Sequence, residues 1–288
     1  MAVYVTSDAH GHVRALDEVL ERVSLGAGDE LYVLGDLIDR GPDPLGVVSL
    51  VRSLPNAHVL LGNHEDLMML AVARTGAPKD GAFDISGLDY DAFTDWMNWM
   101  QNGGAATSEQ LERLSAEEYA DFLGWVAGLP LYATATAGGH TFALCHAGIS
   151  AGAALEWAGV HAGEDLEDPA VLAQMLAAQQ RDDLLWIRAE FWGVPTTLVD
   201  ANGHGPIVVA GHTPSPLLSV LAPNEDVACV NEEGKGTVVE LGASAATGGV
   251  PDRIDVDCAA ASGAGRGRVG VLRLDDLETW FADVREGE

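Results

Sequence analysis

Five short segments carry side chains that could do chemistry. They are Asp8-Ala9-His10, Gly35-Asp36-Leu37-Ile38-Asp39-Arg40-Gly41, Gly62-Asn63-His64-Glu65, His146-Ala147-Gly148 and Gly211-His212-Thr213. Each alone is weak, because a lone histidine after a strand is more often structural than catalytic. Together they use four of the nine histidines, three aspartates and an asparagine in an order that chance does not readily produce. Carboxylate, imidazole and amide donors in one set suit Mn, Fe or Zn better than Ca²⁺ or a cysteine-rich structural zinc site. The donors exceed what one ion needs. Two divalent cations sharing a ligand, about 3.5–4 Å apart, is the economical reading, and such a pair suits an in-line displacement.

The elements that must position these residues can be read from periodicity. Residues 2–7 form an apolar, β-branched strand. Val13, Leu16, Val19, Leu20 and Val23 recur at helical spacing. Leu31–Leu34 reads as a buried strand. Pro44 opens a helix running to about Leu54, where its missing N–H costs nothing. His58–Leu61 is a third strand, followed by a helix over Glu65–Arg74. Asp8, Asp36 and Asn63 thus each stand just past a strand, and open α/β sheets gather ligand sites outside those carboxyl ends.

Beyond Thr75 the alternation stops. Residues 75–128 are acidic and hold Trp96, Trp99 and Trp125, with helices expected near Tyr90–Met100 and Ala116–Val126. The motif series resumes after this stretch, so it reads as a helical cap inserted in a single domain covering 1–288. A hairpin over Leu131–Thr136 and His140–Cys145 turns at Gly138-Gly139. Helices are expected at Pro169–Gln179 and Asp182–Phe191. Strands are expected at Ile207–Ala210, Ala228–Val230, Ile254–Val256 and Val269–Leu272, with Leu241–Val250 a surface loop.

The series D-x-H, G-D-x-x-D-R-G, G-N-H-E, H-A-G and G-H-T resembles the calcineurin-like metallophosphoesterases. Within them it is similar to the bacterial and phage members of the phosphoprotein phosphatase group and to the symmetrical diadenosine tetraphosphate hydrolases. The likeness extends from Asp8 through Asp257. It implies an α/β fold in which two mixed β-sheets form a sandwich flanked by helices. It also implies that Asp8 and His10 hold one metal, that Asp36 bridges, and that Asn63, His146 and His212 hold the other. His64 would be the general acid, oriented by Asp39. Arg40 and Arg188, the latter in Leu184-Leu185-Trp186-Ile187-Arg188, would bind the phosphate together with Asn63. The cofactors implied are two divalent ions, manganese foremost and iron or zinc next.

Chemistry supports those assignments. Paired divalent ions bring water near its neutral-pH ionisation, planar arginines suit phosphoryl oxygens, and a histidine held by a carboxylate stays positioned and basic. The expected substrates are phosphomonoesters, with phosphoserine or phosphothreonine in proteins among them. A symmetrical dinucleoside polyphosphate is the alternative, and a catalytically silent scaffold of the same fold is the rival from another class. Leu61 stands where many relatives have arginine before G-N-H-E, so a phosphate contact is expected to be missing there. Trp96 or Trp99 would then face an adenine. Trp99-Met100-Gln101-Asn102-Gly103-Gly104 is either a family segment or a glycine-rich helix stop. His12 is expected on the exposed first turn of its helix, and Asp257 no nearer than behind the ligands.

Composition sets the outer bounds. Hydrophobic residues make up 48%, ordinary for a globular chain, and no apolar run is long enough to span a bilayer. Fifteen Lys and Arg against 44 Asp and Glu leave a formal charge of −29. That field opposes binding to nucleic acid or anionic membrane. Three scattered cysteines and no basic leader point to a reducing, cytoplasmic setting. The oligomeric state is not legible.

Overall fold

The computed structural model describes residues 1–288. Its strands are β1 (Val3–Thr6), β2 (Glu30–Val33), β3 (Ala57–Val59), β4 (Tyr132–Ala137), β5 (His140–Cys145), β6 (Ile207–Ala210), β7 (Val239–Leu241), β8 (Arg253–Asp255), β9 (Arg268–Arg273) and β10 (Thr279–Asp283). The helices are α1 (Val13–Val23), α2 (Pro44–Ser53), α3 (Asn63–Thr75), α4 (Tyr90–Gln101), α5 (Ala105–Leu111), α6 (Ala116–Ala127), α7 (Ala151–Val160), α8 (Pro169–Ala177), α9 (Arg181–Trp186), α10 (Ala189–Trp192) and α11 (Leu218–Leu221).

Two mixed five-stranded sheets face each other, ordered β10-β9-β1-β2-β3 and β4-β5-β6-β8-β7. In the first, β1, β2 and β3 run parallel; in the second, β5, β6 and β8 do. Antiparallel partners complete both sheets. Alternation along the strands divides their side chains between two faces. Val3, Val5, Leu34 and Leu60 meet Phe142, Leu144, Val209 and Ile254 between the sheets. Tyr4, Leu31, Val33 and Leu61 turn outward under α1–α3. The outer face of the second sheet packs on α7–α10 through Leu172, Met175, Phe191 and Trp192. Trp96, Trp99, Leu111, Tyr119, Phe122 and Val126 from α4–α6 share one core with α1–α3, so residues 75–128 are packed into the first half of the molecule.

Local chemistry explains most element ends. Asp43, Asp89, Ser115, Ser150 and Asp168 cap α2, α4, α6, α7 and α8 through side-chain oxygens. Gly138 and Gly139 take φ +58° and +88° at the β4–β5 turn, a pairing suited to a two-residue hairpin.

Several expectations need correction. The helix expected over Asp182–Phe191 breaks at Ile187 and Arg188, where Arg188 takes φ −134°, ψ −87°. Its carbonyl starts α10 by accepting from the N–H groups of Phe191 and Trp192. Ala228–Val230 is not a strand; Val230 makes only an isolated bridge to Gly236. The strand that follows is β7, whose Leu241 overlaps the expected surface loop. The edge strand β10 was not foreseen, and only Ala282 within it is buried, which weakens its apolar signal. No helix is long and apolar enough to cross a membrane.

Candidate metal centre

The carboxyl ends of the parallel strands of both sheets converge. β1 runs into Asp8, β2 toward Asp36, β3 toward Asn63, β5 into His146, β6 into His212 and β8 toward Asp257. The loops leaving these strands are strained. Asp8, His10, Asp36, Asp39, Arg40 and His212 all have positive φ, six of the eleven non-glycine residues that do. Such backbone costs of order 1–3 kcal/mol per residue and collects where function requires it. Backbone bonds lace the loops together: the His10 N–H donates to the Asp36 carbonyl (3.0 Å) and the Gly11 N–H to that of Leu37 (2.9 Å).

Asp36 lies at the middle. Its Oδ2 is 3.5 Å from His10 Nε2, and its Oδ1 is 3.5 Å from His146 Nε2. Asp8 Oδ1 lies 3.9 Å from His10 Nε2, and Asp8 Oδ2 accepts the His212 N–H at 2.9 Å. Asn63 Oδ1 sits 2.8 Å from His146 Nε2 and 2.9 Å from His212 Nδ1. The structure therefore brings Asp8, His10, Asp36, Asn63, His146 and His212 together, all buried. His10, Asp36 and His64, and likewise Asp36, His146 and His212, are spaced to hold a cation.

The donor set fits metal on three counts. His10 Nδ1 faces the Ile38 carbonyl (2.9 Å) and His146 Nδ1 that of Leu34 (2.7 Å). Each Nδ1 thus carries the proton, and each Nε2 turns a lone pair toward Asp36. Burial and its like-charged neighbours hold the His10 pKa well below normal, and burial lowers His146. A neutral His146 then meets the Asn63 oxygen lone pair to lone pair, a repulsion that an intervening cation removes. Turning the amide over would also remove it, but would withdraw the oxygen ligand. Finally, His212 Nε2 is buried without a partner, and burial drives that ring's pKa far down. Burial, then the neighbouring Asp8 charge, pushes Asp36 well above the usual carboxylate range. Acids forced up and imidazoles forced down are ligands whose protonation a cation would reset. Space is fitted as closely: a Cβ on Gly62 would lie 2.3 Å from Asp36 Oδ1, and one on Gly211 2.2 Å from Asp8 Oδ2.

Beside this cluster, His64 Nδ1 bonds Asp39 Oδ2 at 2.7 Å, and Arg40 Nη2 lies 2.8 Å from His64 Nε2. Asp39 also accepts from Thr107 Oγ1 (2.6 Å) and from Trp99 Nε1 (3.1 Å to each oxygen). Burial nonetheless raises its pKa to about 7, against the pull of those donors. His64 is held well below normal by burial and then by Arg40. Arg40 is exposed, with its N–H bound to the Gly103 carbonyl at 3.0 Å. Arg188 is half-buried, 3.4 Å from Thr213 Oγ1; burial lowers its pKa, and the Asp257 and Asp8 charges work against that shift.

Some supporting residues carried no assigned role in the sequence. Glu65 Oε2 accepts from Asp36 N (2.9 Å) and Gly62 N (3.0 Å), and Oε1 from Leu37 N (2.9 Å) and Ile38 N (3.3 Å). One buried carboxylate thus shapes the whole Asp36 loop. Its place inside G-N-H-E was the available signal. Thr107 had none. Gly103 and Gly104 do more than stop α4: Gly103, at φ +105°, receives Arg40, and a Cβ on Gly104 would collide with the Trp99 indole at 2.6 Å.

Two further expectations fail, those for the cap tryptophans and for His12. Trp99 is fully buried on Asp39, and Trp96 is buried edge-on against it, so neither can meet an adenine. Leu61 packs into the core beneath the helices, so an arginine there would enter that core and not the centre. His12 is buried at the start of α1, where its Nδ1 has no partner. Asp257 stands behind Asp8, accepting from Ala259 N at 2.8 Å, and burial raises its pKa.

Comparison with known proteins agrees with this construction. A symmetrical bis(5'-nucleosyl)-tetraphosphatase of Dechloromonas aromatica is 38% identical over 106 residues, 35% of this chain and 38% of that protein. One from Vibrio campbellii is 32% identical over 152 residues, 52% of this chain and 46% of that protein. The matches thus span less than half the length of these curated relatives. A protein serine/threonine phosphatase from Saccharomyces cerevisiae superposes with a TM-score of 0.52 at 14% identity, covering 100% of this chain and 81% of that one, and shares the fold alone. The calcineurin-like phosphoesterase model matches residues 1–240. With five-sixths of its length under that model and the sandwich around Asp36, the chain belongs to the calcineurin-like phosphoesterase family.

Proposed function

We propose that this chain hydrolyses phosphate esters or anhydrides at a pair of divalent cations, one held by Asp8, His10 and Asp36 and the other by Asp36, Asn63, His146 and His212. The observation that supports this most is the division of Asp36, one oxygen toward His10 and the other toward His146. When bound, two cations would supply Lewis acidity toward the phosphoryl group and lower the pKa of water held there.

The remaining work falls to the chain itself. Arg40 and Arg188 clamp phosphoryl oxygens with planar, charge-assisted donors. Their positive charge is needed locally, because the net −29 of the chain repels a polyanion. Asp39 fixes the His64 ring through Nδ1, leaving Nε2 as the atom that passes a proton to the leaving oxygen. In the present arrangement Arg40 lies on that nitrogen. Phosphate would draw the guanidinium away, freeing Nε2 and relieving one cause of its low pKa. A scaffold that had given up catalysis would have no use for the His64–Asp39 pair.

For substrate class, the names of the relatives support a dinucleoside polyphosphate. Phosphomonoesters, including those on proteins, are the second reading, since the residues around Asp36 act on one phosphoryl group and require no second phosphate. Manganese is the proposed cation, and iron or zinc would satisfy the same donors. The test is a substrate series on manganese-loaded protein, with metal counted at saturation. One ion per chain would end the dinuclear reading. A phosphopeptide hydrolysed far faster than diadenosine tetraphosphate would reverse the order of substrates.

A further inference from the structure

We propose that the open face of Trp186 is the platform on which a nucleobase of the substrate stacks, an inference that rests on the dinucleoside polyphosphate reading above. Seven tryptophans occur in the chain, and six are buried or partly buried. Trp186 is the exception, with 39% of its surface exposed. Single exposed apolar residues are ordinary; its position is not. It is the last residue of α9, two before Arg188. Its ring meets His212 edge to face, with centroids 5.9 Å apart and planes at 84°. His212 in turn sits against His146 at 5.0 Å. The indole therefore stands one ring outward from the proposed ligands, on the segment that also delivers the phosphate-binding arginine.

That juxtaposition matches a nucleoside phosphate, which carries a charged end and a flat aromatic end joined by a ribose. The perpendicular contact with His212 covers only part of the indole, and 39% of the residue's surface remains open to solvent. Every base has a π-face, so an indole platform tolerates either nucleoside of a symmetrical substrate. Electrostatics favours this device. A phosphate approaches against 29 net negative charges, whereas stacking on a neutral ring is not opposed by them. The break between α9 and α10 gives the arrangement its form: a continuous helix would turn residues 186 and 188 about 200° apart and send one of them away from the cleft.

The test compares two non-hydrolysable probes on the manganese-loaded chain, α,β-methylene-ADP and methylenediphosphonate, which share a head group and differ by adenosine. Titration calorimetry should show the adenosine-bearing probe binding more tightly to the wild type. Trp186→Ala should narrow that gap by about tenfold or more, while Trp186→Phe, which keeps a ring beside His212, should retain most of it. A gap that survives Trp186→Ala, or affinities for both probes that fall together, would overturn the proposal. So would a wild type that does not distinguish the probes. In that last case, hydrolysis of inorganic tripolyphosphate or an aryl phosphate by the same preparation would leave the phosphoesterase reading standing. Failure to hydrolyse any phosphate ester or anhydride would bring down that reading instead.

Discussion

The two sheets furnish the centre in different ways. From the first sheet come Asp8, His10, Asp36 and Asn63, on loops held by backbone hydrogen bonds and by the four N–H groups that Glu65 gathers. From the second come His146 and His212, single residues each tied by one hydrogen bond to a loop of the first sheet and backed by packing. A Cβ on Gly148 would strike the Phe191 ring at 2.4 Å, and Arg253, fully buried, donates to the carbonyls of Phe191, Trp192 and Val194. Hydrogen-bonded loops fix ligand geometry within a short span of chain. Packed single residues depend on partners far away in sequence. The first half should therefore lose metal when one acceptor changes, and the second should respond by degrees.

Asp36→Asn is the most severe way to break the comparison, because Asp36 faces both halves. Turnover should fall to background while the fold persists, with fewer than two metals retained per chain. Next is His64→Ala, which should leave both metals in place and slow hydrolysis of poor leaving groups by about 10²–10⁴-fold. An activated aryl phosphate should suffer less, and equal losses on both would make His64 a positioning group. Glu65→Gln should follow. Its amide would turn an N–H₂ toward two of the four backbone donors, weakening metal binding by about 10–100-fold and stability by about 1–3 kcal/mol. Calorimetry and thermal melts would read both, and unchanged metal affinity would show that the loop holds itself.

Leu61→Arg sharpens the comparison from outside the centre. It places a charge in the core under α1–α3, so several kcal/mol of stability should be lost and kcat/KM should not rise. An active, stable variant would mean that the side chain escapes that core. Trp99→Phe, which removes one donor from Asp39 and keeps a ring, should have the mildest effect, on the order of 1 kcal/mol in stability, with a modest fall in kcat.

Much of this contrast explains what could be read in advance. Asp36, Asp39, Arg40, Asn63 and His64 fall in two compact runs, and each run ends a strand that alternation reveals. His146 and His212 were findable through the same rule, one residue at a time. The mistakes concern facing direction. Leu61 immediately precedes the motif, yet it packs with Tyr4, Leu31 and Val33 in the core under the helices, while Asn63 already belongs to α3. Trp99 was expected in contact with substrate because sequence could not disclose that Asp39, sixty residues earlier, needed a donor. Helical periodicity runs through Asp182–Phe191, but tertiary contacts break it at Arg188. β10 carries one buried residue, too little for a pattern.

Asp36 has a further consequence for how the molecule comes into being. Its two oxygens look toward histidines on different sheets, and those sheets are joined mainly by the apolar layer between them. A chain that has folded only its first half can bring together Asp8, His10 and Asp36 but not the set that also needs His146 and His212. Capture of a second cation would thus act as a late checkpoint, possible only after the halves have docked.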